Sequence, residues 1–235
     1  MGKSPNSKVT DELFNVRCES FLDVFSKEDA DIIALCEYSM FFADTKNHPQ
    51  CHTDTLLLKD HPYVYLGNDG NIRNYSFNTI FSRIDLSSNV TLEYDSNKNA
   101  RITSSSIIFP SDYYYIRSSI ELDGKGITLV ATHLAFDLNN PEIATNQIKE
   151  LIEVLKEEDY VILCGDFNTE DKSDYDLFIQ AGYSLANKGD IATYPTNNPY
   201  KPLDNIVVKG LHISNVHITP TFLSDHFPIV CDVCF

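Results

Sequence analysis

The sequence predicts an α/β fold in which sheets pack face to face inside and helices lie outside. Two observations predict it. Short runs such as Val161-Ile162-Leu163-Cys164 are apolar on both faces and read as core strands. Segments of helical periodicity fall between such runs, which favours layers of strands and helices. The chain has 235 residues and 43% hydrophobic content, ample for a core. Its candidate functional residues spread from Glu37 to His226 and must converge, so 1–235 is expected to be a single domain.

The elements follow in order. Phe21, Leu22, Val24 and Phe25 give Arg17 to Lys27 an amphipathic helical pattern. Asp31-Ile32-Ile33-Ala34-Leu35-Cys36 is a strand that stops at Glu37. From Thr55 to Ile120 the signals are strand-like, with polar loops at Asn68 to Asn74 and Ser87 to Asn89. Gly126-Ile127-Thr128-Leu129-Val130-Ala131 is a core strand stopping at Thr132-His133. A helix follows, with Asn140 as N-cap, Pro141 at its first position and Ile143, Ile148, Leu151, Ile152 and Leu155 as its apolar set. It leads into the Val161 strand. Asp174 to Ala181 is a further helix, ended by Gly182, and Asn187 to Lys201 is a loop expected to flank the cleft. Two last strands begin near Asp204 and Ile229.

Polar groups gather where these strands end. After the Val161 strand come Gly165-Asp166-Phe167-Asn168; residues i and i+2 of an extended segment point the same way, so Asp166 and Asn168 are expected on one face. Glu37, His133, Asp204 and the Asp225-His226 pair are placed similarly. Acids, amides and histidines collected on one edge of a buried sheet suit metal-assisted phosphoryl transfer. His48, His52, His61, His212 and His217 show no metal-ligand spacing and read as surface residues.

An acid after "DIIALC", then "ATHL", "GDFN", "PLDNIVV" and "SDHFPI", in that order, resembles the endonuclease/exonuclease/phosphatase superfamily. Its members include pancreatic-type deoxyribonucleases, abasic-site endonucleases, neutral sphingomyelinases and inositol polyphosphate 5-phosphatases. "GDFN" and "SDH" together are highly specific, and "IFSRID" at 80–85 resembles a recurrent family strand. The resemblance runs from about Arg17 to the C-terminus. It implies a four-layer α/β sandwich, two packed mixed β-sheets flanked by helices. It also implies a divalent-metal-dependent phosphoester hydrolase, a phosphodiesterase or phosphatase, using in-line attack of an activated water.

The resemblance assigns roles. Glu37 is the leading ligand for Mg²⁺, with Mn²⁺ as an alternative, since hard cations take oxygen ligands. Asp225 lies near the metal or its waters. Asp166 orients or deprotonates the attacking water, and Asn168 donates to a phosphoryl oxygen as charge builds. His226 contacts the scissile phosphate, Asp204 orients and charges it, and His133 sits beside the phosphate as acid or donor.

The family opens with a core strand carrying an Asn that helps bind the metal. Asn15 is the only candidate, and it lies too close to Asp31 for a strand exit, a loop and a helix. Arg17 instead matches an Arg that often starts the family's first helix. The opening strand is therefore expected to be absent from this sequence, with 1–16 a loop-like segment. Its loss would leave an unpaired edge.

The formal charge of −16, with twelve acids against three lysines from Asp137 to Asp176, disfavours sequence-independent binding of nucleic acid, which needs cations against phosphates. A nuclease acting on DNA or RNA shares every catalytic residue and is the alternative. A second alternative is a catalytically impaired member acting as a binding domain. No run of about eighteen apolar residues predicts a membrane-spanning helix. The six cysteines read as small buried thiols rather than a disulfide framework, favouring a reducing, cytoplasmic compartment. A monomer acting on a phosphoester substrate is expected.

Overall fold

The computed structural model describes residues 11–38, 57–67, 77–96, 113–137, 140 and 142–235. A six-stranded sheet forms the central layer, in the order β4 (Ser87–Glu93), β5 (Tyr114–Leu122), β6 (Lys125–His133), β7 (Val161–Asp166), β9 (Asp204–Lys209), β8 (Tyr183–Leu185). It is mixed: β6 and β7 run parallel and the other pairs antiparallel. The parallel pair requires a crossover. Helix α2 (Glu142–Val154) supplies it, and α3 (Lys172–Gln180) lies beside it.

These helices cover the outer face of the central sheet. Ala144, Ile148, Leu151 and Phe178 pack with Val130, Val161, Leu163 and Val207 in one core. Alternate residues of the same strands, including Leu129, Ala131 and Val208, face a second core shared with another strand layer. That layer holds β1 (Ile32–Tyr38), β3 (Phe77–Ser82) and β2 (Tyr63–Leu66) in the order β1-β3-β2, and separately β10 (His212–Ile218) paired with β11 (Ile229–Cys234). Strand β1 lies over β6 and β7, β3 over β5 and β6, β11 over β9, and β10 over β8. Helix α1 (Asp11–Glu28) closes the far side, with Leu22 and Phe25 against Ile33 and Phe81. Helix, sheet, strand layer and helix make the four-layer α/β sandwich.

Several expectations change. Helix α1 begins at Asp11, so residues 11–16 are helical rather than loop, and Asn15 ends no strand. Ser87 to Asn89 fall within β4, where Ser87 pairs with Ser119 and a bulge before Val90, with Ser88 at a φ of 53°, takes up their turn-like composition. Helix α3 starts at Lys172, because Asp171 accepts the Ser173 amide and caps it. His61 is buried, its Nε2 2.7 Å from the Ala30 carbonyl, so it is no surface residue. Pro141, His48, His52 and the loop at Asn68 to Asn74 lie outside the described residues. Cys36, Cys164, Cys231 and Cys234 are free thiols.

Candidate active site

Three adjacent strands of the central sheet end in one row. In the parallel β6–β7 ladder His133 stands opposite Asp166, and in the antiparallel β7–β9 ladder Asp166 stands opposite Asp204. The register that buries Val130, Leu163 and Val207 therefore also sets a histidine and two acids side by side. Strand β1 brings Glu37 from the other layer. The Cys36 thiol donates to the Thr132 carbonyl at 3.1 Å, tying the end of β1 to the end of β6. Glu37 itself is exposed and adopts a left-handed φ of 53°.

Gly165 is required by the close approach of β6. Its φ is +146°, and a Cβ there would meet the Thr132 carbonyl oxygen at 1.8 Å. Beyond it the chain turns sharply. The Asn168 amide N–H donates to an Asp166 carboxylate oxygen at 2.8 Å, and Asn168 has a φ of 48°. Asp166 and Asn168 are therefore related by a turn, not by the alternation of an extended strand. The Asn168 side-chain NH₂ donates to the Leu134 carbonyl at 2.8 Å, which holds the β6 exit against the turn. Phe167 is fully buried against Tyr175 and Phe178 and anchors the segment.

His226 arrives on the loop before β11. Its Nδ1 lies 2.8 Å from an Asp204 carboxylate oxygen, and its Nε2 lies 3.8 Å from Asp166. The Tyr194 ring lies against it at a 42° tilt, with centroids 4.7 Å apart. The neighbouring Phe227 is buried, and its amide donates to the Thr193 carbonyl, so the loop is fixed on both sides of the imidazole. His133 Nε2 is 3.6 Å from the same Asp166 carboxylate, with the Tyr113 ring edge-on. Asp225 is exposed, and its backbone carbonyl accepts the Thr196 amide.

The electrostatics follow from burial and crowding. Burial, then the nearby Asp204 charge, pushes the Asp166 carboxyl up to about 7. Burial opposes the charged form of His226, but the hydrogen bond and charge of Asp204, then Asp166, outweigh it and lift the group to about 9. Burial lowers His133, reinforced by the charge of His226 against the opposing pull of Glu37. One histidine is thus poised as a cation and the other as a neutral group.

Among the described residues, Asp166, Asp204 and His226 each offer a donor atom within 4.8 Å of the others, a group that could hold a metal ion. Glu37 and Asp225, expected as ligands, lie outside it. Glu37 is nonetheless close enough to act on both His133 and Asp166. A crowded carboxylate pair, one member pushed toward protonation by the other's charge, fits a hard divalent cation, which would relieve that repulsion.

Other residues escape sequence reasoning. The Tyr175 hydroxyl donates to the Pro202 carbonyl at 2.9 Å and reaches the Thr169 carbonyl at 3.4 Å, joining the two turns that carry Asn168 and Asp204. Asn187 and Asn205, both fully buried, exchange backbone–amide hydrogen bonds, and Asn187 Oδ1 also accepts the Gly189 and Ile191 amides. The loop from Asn187 to Lys201 does flank the cleft, but Lys201 Nζ is held by Glu170 at 2.5 Å.

Comparison with known proteins identifies a family and a fold. The sequence profile described as Endonuclease/Exonuclease/phosphatase family matches residues 13–226. No curated protein sequence matches the chain significantly. Among solved structures, a D. rerio TDP2 humanized by 14 mutations superposes with TM-score 0.71 at 14% identity, covering 97% of this chain and 95% of that one. The human nocturnin catalytic domain with bound sulfate gives TM-score 0.68 at 18% identity, covering 94% and 87%. A Bacteroides thetaiotaomicron mannosyl-6-phosphatase gives 0.67 at 14%, covering 94% and 92%. At these identities the likeness is one of fold.

Proposed function

The chain belongs to the endonuclease/exonuclease/phosphatase family, and on that premise we propose that it hydrolyses a phosphoester by in-line attack of water, with a divalent cation held at the carboxylates of this row. The observation that carries this reading is the row His133–Asp166–Asp204 closed by His226. A bound Mg²⁺ or Mn²⁺ supplies charge stabilisation to the phosphoryl oxygens. Asp166 orients the attacking water and takes its proton. His226, charged and oriented by Asp204, faces the phosphoryl oxygens as a donor. His133 serves the leaving oxygen. Glu37 and Asp225 would hold waters of the metal. Asn168 steadies the turn and offers its remaining amide hydrogen to a phosphoryl oxygen.

For the substrate, the net charge of −16 favours a small phosphomonoester or phosphodiester over a polyanion. The loops that carry the site display exposed Phe136, Tyr200 and Phe222, surfaces better matched to an apolar or aromatic alcohol than to a phosphate backbone. A nuclease is the second reading, because a similar fold is that of D. rerio TDP2 complexed with single strand DNA product. A panel of aryl phosphates, inositol phosphates, sphingomyelin, DNA and RNA, each with Mg²⁺ and Mn²⁺, separates the two. Turnover of the small esters supports the first reading. Turnover confined to DNA or RNA supports the second, and none on any substrate rejects both.

A further inference from the structure

Lys201 and Glu170 form an ion pair at the rim of the site, Nζ to Oε1 at 2.5 Å. Each comes from a turn that also carries a site residue. Glu170 follows Asn168 and Thr169, and Lys201 precedes Pro202, Leu203 and Asp204. The backbone at Lys201 is fixed. Its carbonyl accepts the Thr193 and Tyr194 amides at 2.8 and 3.1 Å, and its amide donates to the Tyr194 carbonyl at 2.9 Å. The Tyr194 ring in turn lies against His226. Lys201 is therefore held in a constant relation to the imidazole.

This ion pair is not what joins the two turns. Tyr175, buried beneath them, does so through its hydroxyl, and an ion pair at the surface adds little stability. The partners also differ in exposure: the Lys201 side chain is 24% exposed and that of Glu170 is 50%. Glu170 can return its carboxylate to water at small cost. Lys201, stripped of most of its hydration, is costlier to leave without an anion. Its Nζ also stands 5.7 Å from the centroid of the exposed Tyr200 ring, which gives a bound anion an apolar neighbour. Glu170 thus occupies a place that holds a carboxylate and from which it is readily displaced.

We propose that Lys201 binds a carboxylate of the substrate, and that Glu170 takes this place until the substrate displaces it. The inference rests on the hydrolase reading above and adds a substrate class to it. The row runs His133, Asp166, Asp204 across β6, β7 and β9, and Lys201 adjoins its Asp204 end. With His133 serving the leaving oxygen at the other end, Lys201 reaches the group that stays on phosphorus. The substrate class is a phosphodiester whose retained ester group carries a carboxylate. A second phosphate fits less well. Glu170, Asp171, Asp204 and Asp225 stand on the same turns and loops, and one ammonium offsets a single negative charge, so a dianion there is repelled.

Paired p-nitrophenyl diesters test this in Mg²⁺, one retaining a carboxyalkyl group and its twin a carbamoylalkyl group, over a series of alkyl lengths. The leaving group is the same, so the ratio of the two kcat/KM values reads the retained group alone. At the best length the wild-type chain should prefer the carboxylate by about fivefold or more. Lys201→Met should bring the ratio to about one. Glu170→Gln, which removes the competitor and leaves Lys201, should raise it by about threefold or more over wild type. Thermal unfolding checks both variants; if Lys201→Met does not fold, Glu170→Gln carries the test. Calorimetry with the matching methylphosphonates, which lack the p-nitrophenyl group, reads the same ratios as affinities. Affinity ratios that hold while neither diester is hydrolysed reject the hydrolase reading and keep the subsite. A wild-type ratio near one at every length, a ratio unmoved by Lys201→Met or not raised by Glu170→Gln, or an absence of both hydrolysis and binding overturns the subsite. A stronger preference for a retained group bearing phosphate overturns its assignment to a carboxylate.

Discussion

His226 and Asp204 are joined directly, Nδ1 to carboxylate oxygen at 2.8 Å. The bond fixes the ring so that Nε2 faces Asp166. It is also what lifts the His226 group to about 9 against its burial. Asp204→Asn keeps the shape and removes the charge. The His226 titration midpoint, followed by NMR, should fall toward its ordinary value near 6.5. Activity should drop as well, because the charge on His226 and one of the carboxylates that would hold the cation are lost together. An unmoved midpoint would detach Asp204 from that role.

Asp166→Asn should leave the fold intact and lower turnover by about two orders of magnitude or more, the scale of general-base removal. Circular dichroism and thermal unfolding check the fold, and single-turnover kinetics check the rate. Near-normal turnover would mean that another group activates the water.

The same charges predict how stability varies with pH. His226 has its folded value raised above the unfolded one, so its contribution is full below about pH 6.5 and is lost as pH rises through about 9. Asp166 is raised too, to about 7, so the folded state loses stability as that carboxyl ionises. Both run the same way. Metal-free protein should unfold at a lower temperature at about pH 9.5 than at about pH 6, and Mg²⁺ should restore more stability at the higher pH. A flat profile between those values would contradict the assignment of both groups.

Much of this arrangement is legible in the sequence, because β6, β7 and β9 are apolar on both faces and stop at polar residues. The placement of His133, Asp166 and Asp204 follows from the polar ends of those strands, and that of His226 from the Asp-His pair before the last strand. The geometry of Asn168 does not, because its left-handed φ depends on the Asp166 carboxylate and the Leu134 carbonyl rather than on strand alternation. Tyr175, Asn187 and Asn205 carry no local signal, since their partners are distant in sequence. Ser87 to Asn89 look like a turn and form a bulge inside β4, between the pairs Ser87–Ser119 and Val90–Arg117.

Gly165→Ala should be severe. A methyl group would stand 1.8 Å from the Thr132 carbonyl at a φ that side chains avoid. A cost of about 3 kcal/mol is expected from such overpacking, read as a lowered denaturant midpoint. An unchanged midpoint would show that β6 and β7 can separate without penalty.

Tyr175→Phe retains the ring in the core and removes the hydroxyl that joins the Thr169 and Pro202 turns. Stability should fall by about 1 kcal/mol. Turnover should fall by about tenfold with little change in KM, as expected when positioned groups drift apart. A purely structural role would lower stability and leave turnover per folded molecule unchanged.

The most direct test is release of p-nitrophenol from mono- and bis-(p-nitrophenyl) phosphate, with and without Mg²⁺ or Mn²⁺, by the wild-type chain, Asp166→Asn and His226→Gln. Hydrolysis should require the cation, stop on addition of EDTA, and fall by about 10²-fold or more in either variant. Hydrolysis that persists in EDTA, or that is equal in all three proteins, would contradict a metal-assisted site built on Asp166, Asp204 and His226.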